Sequence, residues 1–245
     1  NHEKREYALQ VGVLGADIAA EGPFSSKSKA SYLVNYRYST LEIFKKAGIQ
    51  IIGDAAPDFQ DGAFKLFLPV TQRSVFSLWG MGGLSRQIRH RATQNDAFHS
   101  DRAVAGLNFT HFISEKSFVD ATLSWAANRQ TYDASRLQQV YLREENFTNQ
   151  AYRLSLQFNH KFNAQHSLRT GVILSNLRFQ LLNRTTDGTK VSTTLNQQGD
   201  TYLLQAYSQW KYRISPLLTL NAGFHATLLA LNQQSSLEPR GGLRW

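Results

Sequence analysis

The chain has 245 residues, with 27 Lys and Arg against 18 Asp and Glu, a net charge of +9, and no cysteine. That excludes a disulfide framework, a thiolate metal site and a cysteine nucleophile, and 42% hydrophobic with only 18% charged residues argues against disorder. No run of about 18 apolar residues exists to form a transmembrane helix. Asn1-His-Glu-Lys-Arg-Glu6 is charged with no apolar stretch behind it, so no signal peptide is expected within this chain. The cations are scattered, densest at Arg86-Gln-Ile-Arg-His-Arg91, with no recognition helix or stacking sheet beside them. A nucleic-acid partner is therefore not expected.

In chain order, period-two alternation begins at Ala30–Thr40, where Ala30, Tyr32, Val34, Tyr36 and Tyr38 oppose Ser31, Asn35, Arg37 and Ser39. It returns with Ala103, Ala105, Leu107, Phe109 and Ile113 against Arg102, Asn108 and Thr110. Next come Val119, Ala121, Leu123, Trp125 and Ala127 against Asp120, Thr122 and Ser124. Tyr152, Leu154, Leu156, Phe158, His160 and Phe162 oppose Arg153, Gln157 and Lys161. Tyr202, Leu204, Ala206, Trp210 and Tyr212 oppose Gln205, Gln209, Lys211 and Arg213, and Leu218–Leu228 opposes Thr219, Asn221 and His225. Alternation of this kind marks strands with one apolar face. The segments run to about 10 residues or more, the length a tilted strand needs to cross a bilayer, rather than the roughly 5–6 usual in soluble sheets.

The connections alternate in length. Gly22–Lys29, Pro69–Ser74, Ser114–Ser117, Asn163–Ser167 and Ser215-Pro216 are short, whereas Leu41–Asp58, Arg86–Ser100, Arg129–Gln150 and Asn183–Asp200 read as long loops. Short turns at one edge and long loops at the other characterise outer-membrane barrels. Tyr36, Tyr38, Trp125, Trp210 and Tyr212, toward the ends of the apolar faces, fit interfacial girdles. The pattern therefore predicts an all-β fold, an antiparallel transmembrane β-barrel, with about eleven strands over residues 1–245. An even strand number and a closed edge are the rule in such barrels, so these strands are expected to belong to a larger barrel of about 22.

Glu21-Gly-Pro-Phe24 before the strand Ala30–Ser39, Phe59–Leu66 leading into Val75–Gly80, and Leu237-Glu-Pro-Arg240 entering a strand resemble the TonB-dependent outer-membrane receptors of Bacteroidota. Such receptors fold a plug inside a barrel, and nothing in this chain resembles the plug. The resemblance implies energy-coupled uptake of a bulky nutrient (siderophore, glycan or peptide) across the cell outer membrane. Its implied partners are outer-membrane lipid and lipopolysaccharide, the TonB complex acting through a plug absent from this chain, and a surface lipoprotein as a further candidate. The rival reading is a passive or structural barrel, a porin or adhesin without a plug.

By parity Asn35, Arg37, Arg153, Gln157, Gln205, Gln209 and Arg213 face the lumen, and Arg37 is expected to pair with a plug carboxylate. The stretch Gln130–Asn149, with Tyr132, Arg136, Tyr141 and Arg143, is the best candidate for a ligand-facing loop; its rival role is a contact of Arg136 and Arg143 with lipopolysaccharide phosphates. No catalytic residue, metal site or cofactor is expected. The histidines lack zinc-motif spacing and no Gly-x-Ser-x-Gly elbow occurs, so enzymatic function would require a lumen-facing Ser–His pair. His111 and His160 fall on apolar parities near short turns, an interfacial placement. Gly80-Met-Gly-Gly83 reads as close backbone packing inside a strand, and Asp54, Asp58 and Asp61 lack calcium-loop spacing.

Overall fold

Aromatic and β-branched residues on alternate positions favour extended backbone. In the computed structural model they form twelve strands among the described residues, which are 3–26, 29–41, 44, 47–49, 57–136 and 141–245. These are β1 Glu6–Val11, β2 Ala16–Pro23, β3 Ser31–Tyr38, β4 Asp58–Pro69, β5 Ser74–His90, β6 Gln94–Ser114, β7 Ser117–Arg136, β8 Tyr141–Lys161, β9 His166–Asp187, β10 Lys190–Arg213, β11 Thr219–Leu229 and β12 Gln234–Arg244. They pair antiparallel in sequence order as one meander sheet. The count is twelve rather than about eleven. The first hairpin turns through Gly12-Val13-Leu14-Gly15, whose apolar middle residues hide the boundary between β1 and β2.

Three expected loops are strands. Arg86–Ser100 forms the outer ends of β5 and β6, joined between His90 and Gln94; Arg129–Gln150 and Asn183–Asp200 extend β7 to β10 in the same way. β9 and β10 reach 22 and 24 residues. The two-residue turn between them is Gly188-Thr189, with Gly188 at φ 60°, a glycine-first hairpin turn that glycine closes because it adopts positive φ without steric cost. Leu41–Asp58 falls largely outside the described residues. The short turns lie where the sequence places them.

Directly paired residues project from the same side of a sheet, so the register carries one face through all twelve strands. One side holds a row of eight leucines, Leu66, Leu78, Leu107, Leu123, Leu154, Leu174, Leu204 and Leu228, each opposite the next from β4 to β11. Leu66 sits three positions before the end of β4, whereas Leu228 sits nine positions after the start of β11. This drift of the row away from the short turns is the stagger that accompanies tilted barrel strands.

This apolar side is uncovered. Leu123 is 57% exposed, Leu204 44% and Phe224 47%, while only Leu41 and Ala134 are buried apolar residues among those described. No second sheet among the described residues covers it, as a soluble sandwich would require. The apolar stretch on β7, Val119 to Ala127, covers nine residues. At about 3.3 Å per residue and a tilt near 40° it spans roughly 20–25 Å, close to the apolar band of membrane barrels. No described helix is long and apolar enough to cross a membrane.

The candidate ligand-facing wall

The other side of the sheet is polar at the height of the apolar band. Asn35, Arg37, Arg153, Gln157, Gln205, Gln209 and Arg213 all lie on it by register, as their parity predicts. Its side chains link laterally. The Trp79 indole N–H donates to Asn108 Oδ1, and Asn108 Nδ2 donates to Thr122 Oγ1 at 2.8 Å. Thr110 donates to Asp120 at 2.6 Å; Gln157 Nε2 lies 3.5 Å from the other Asp120 oxygen, and Gln157 Oε1 accepts from the Tyr207 hydroxyl at 2.8 Å. This ladder runs from β5 to β10. Two of its aromatic rings reach their partners by lying over a glycine: a Cβ on Gly106 would stand 2.5 Å from the Trp79 ring, and one on Gly171 would stand 2.7 Å from both the Tyr207 oxygen and the Leu156 carbonyl. Gly80 lies under the Phe64 ring in the same way, so the Gly80–Gly83 run serves close packing.

Arg37 finds a carboxylate within the sheet itself. Its Nε and Nη2 donate to Asp61 Oδ2 at 2.9 and 2.7 Å, with Asp17 at 4.0 Å and the Phe59 ring 5.1 Å away. The register explains this, because β3 places Arg37 directly between Asp17 on β2 and Asp61 on β4. Both partners are half-exposed, so the pair contributes at most about 1 kcal/mol. Asn35, Arg37 and Asp61 share a hollow of about 750 Å³ with Met81 and Arg102. Asp58 faces the opposite side of β4 from Asp61, and Asp54 lies outside the described residues.

Beyond the apolar band the two faces exchange character. The side that carried leucine now carries Arg129, Thr131 and Asp133 on β7, Glu144, Asn146 and Thr148 on β8, and Arg178, Gln180 and Arg184 on β9. The formerly polar side gains Phe98, Tyr132, Phe147, Phe179 and Leu181, with Phe98 opposite Tyr132 and Phe147 opposite Leu181.

Tyr132, Arg136 and Arg143 belong to this inner surface on paired strands, not to a loop. Tyr132 donates to Asp96 Oδ1 at 3.3 Å, and the Arg143 guanidinium lies 5.9 Å from the Tyr132 ring and pairs with Glu145. Asp96 is buried and meets Arg91 at 3.6 Å. Burial, followed by the Asp96 charge and hydrogen bond, raises the Tyr132 phenol above its ordinary value. Arg136 ends β7 opposite Gln94. Tyr141 opens β8 opposite Asp187, its side chain outside the described atoms. The structure thus groups Tyr132 with Arg143 and, separately, Asn35 with Arg37. Arg143 lies on the face of the sheet opposite the leucine row. Phe98, Phe179 and Leu181 were not singled out by sequence. The signal was the alternation resuming in Leu177-Arg-Phe-Gln-Leu181.

A second hollow, of about 640 Å³, lies at the short-turn end of the polar side. Lys116, Lys161, Arg169, Lys211 and Arg213 line it against a single carboxylate, Glu115. Two Ser–His pairs also occur: Ser74 Oγ lies 2.9 Å from His111 Nδ1, and Ser117 Oγ lies 2.7 Å from His160 Nδ1. Both sit on the apolar side at its short-turn rim, not on the lumen-facing side that a catalytic pair would need.

No family model matches the sequence, and no curated protein is similar to it. Solved structures similar in fold include the siderophore receptor PiuA from Acinetobacter baumannii (TM-score 0.67, 8% identity, 98% of this chain and 45% of that one). The RagAB peptide importer in its closed-closed state is similar over 91% of this chain and 33% of that one, with TM-score 0.63 and 8% identity. A mutant of the ferric enterobactin receptor PfeA from Pseudomonas aeruginosa gives 0.60 and 10%, over 98% and 40%. The chain thus spans less than half the length of these structures, and at such identities the likeness is one of fold: an all-β, antiparallel barrel wall.

Proposed function

We propose that this chain forms part of the barrel wall of an outer-membrane receptor that takes up a bulky ligand, with energy supplied through TonB acting on a plug carried elsewhere in the protein. The observation that carries this reading is the uncovered apolar band, continuous from β4 to β11, backed by a polar ladder at the same height. Lipid on one side and water or a polar filling on the other suit that pairing of faces. The likeness in fold to two receptors and an importer supports transport over structural roles. The ligand would meet the inner aromatic surface around Tyr132 and Phe147 first, where rings offer contact area at small entropic cost. The short turns would face the periplasm and the long hairpins the exterior.

The test is fractionation of cells making the full-length protein, followed by growth of a deletion strain on a ferric siderophore mixture, a peptide hydrolysate or a glycan as limiting source. The reading expects outer-membrane recovery and a growth defect on one source, reproduced by loss of TonB. Recovery in the soluble periplasm refutes it. Uptake that persists without TonB selects the passive barrel instead.

A further inference from the structure

At the short-turn rim of the apolar side a motif is built twice. Ser74, the first residue of β5, lies opposite His111, and Ser117, the first residue of β7, lies opposite His160. In each case the serine Oγ meets the histidine Nδ1, at 2.9 and 2.7 Å. In each case a phenylalanine two residues earlier stacks on the imidazole: Phe109 on His111 at 6.1 Å and 15°, Phe158 on His160 at 6.1 Å and 10°. A third ring of the rim, His166, stacks on Trp210 and Tyr212 at 5.4 and 4.4 Å. All three histidines are half-buried and border the leucine band from the turn side.

The direction of the Ser–His hydrogen bond decides what the pair can bind. A hydroxyl donating to Nδ1 selects the tautomer with its proton on Nε2, while stacking holds the ring upright at the band's edge. A neutral ring in that state, and equally an imidazolium, presents an N–H donor outward. Phosphate and ester oxygens of a lipid headgroup only accept, so the opposite tautomer would leave two acceptors facing each other. The turn before Ser74 adds Arg73, which is exposed. The charge complements an anion.

We propose that this rim is a phospholipid-headgroup site, in which Nε2–H of His111 and His160 donates to lipid phosphate oxygens while Ser74 and Ser117 orient the rings. The inference rests on the reading of the apolar band as lipid-facing.

The experiment uses the full-length protein moved from dodecyl maltoside into bilayers of phosphatidylglycerol, with retained lipid counted by native mass spectrometry and imidazole tautomers read by 15N NMR. Wild type should keep bound phosphatidylglycerol and show Nε2–H rings. His111→Phe/His160→Phe, which keeps the stacks, should weaken retention by roughly fivefold per lost hydrogen bond. Ser74→Ala/Ser117→Ala should keep the histidines yet shift their tautomer populations, a readout that a merely structural serine would leave unmoved. Equal retention by a folded Phe variant, or a predominance of the Nδ1–H tautomer in wild type, overturns the proposal. Wild type that folds in bilayers yet keeps no lipid sinks this inference alone. Wild type that will not enter bilayers sinks the membrane reading and this inference with it.

Discussion

Leu123→Arg is the sharpest probe of the assignment of faces. Leu123 stands midway along the apolar stretch Val119–Ala127 of β7, opposite Leu107 and Leu154, and is 57% exposed. With four residues to either edge, at about 2.5 Å of height each for a strand tilted near 40°, it lies roughly 10 Å from both interfaces, at the midplane. An arginine there costs about 2–4 kcal/mol. Ser155→Arg on β8, opposite Thr122 and Ile173 on the polar side, should cost less than about 1 kcal/mol because its guanidinium stays in a polar environment. Denaturant-dependent refolding of the full-length protein into vesicles, followed by Trp fluorescence and the gel shift of the folded band, measures both. Penalties within error of each other would refute the assignment.

Leu220→Arg should be mild, about 0–1 kcal/mol in the same refolding assay, because Leu220 pairs with Tyr212 at the girdle and lies away from the midplane. A midplane-sized penalty would misplace the band. Gly171→Ala should destabilise by about 1–3 kcal/mol, and pairing it with Tyr207→Phe should recover only part, since the Leu156 carbonyl also stands 2.7 Å from the new Cβ; full recovery would contradict the geometry. Tyr132 should ionise above pH 10, read as the 295 nm difference between wild type and Tyr132→Phe. Asp96→Asn should lower that midpoint without restoring the ordinary value, because burial is the largest cause. A raised folded value means that the stabilisation from the neutral phenol is complete below the unfolded value near 10 and is lost as pH climbs through the folded one. Ionisation at or below 10 would contradict it.

The apolar side was legible because lipid tolerates one polarity on every other residue for the length of the band, so Tyr152–Phe162 and Leu218–Leu228 announce themselves. Past the band that constraint ends. Arg129, Thr131 and Asp133 face outward while Gln130 and Tyr132 face inward, so both parities are mixed and the strands read as loops. Gly188 was the local sign that Asn183–Asp200 turns back tightly. The partner of Arg37 was not legible, because a sequence shows that a cation faces inward but not which neighbour the register sets beside it. The pairing of Tyr132 with Asp96, 36 residues apart, was hidden for the same reason.

The charged outward faces of the long hairpins have a consequence for how the wall holds its orientation. Arg129, Arg178 and Arg184 lie beyond the apolar band on the face that carries the leucine row. A sheet threading outer hairpins first must draw each of them through hydrocarbon, at about 2–4 kcal/mol apiece near the midplane. Those crossings oppose entry, and the same barriers oppose exit. On the proposed membrane reading, the wall once seated is kept in place by the slowness of its reversal as well as by the depth of its well.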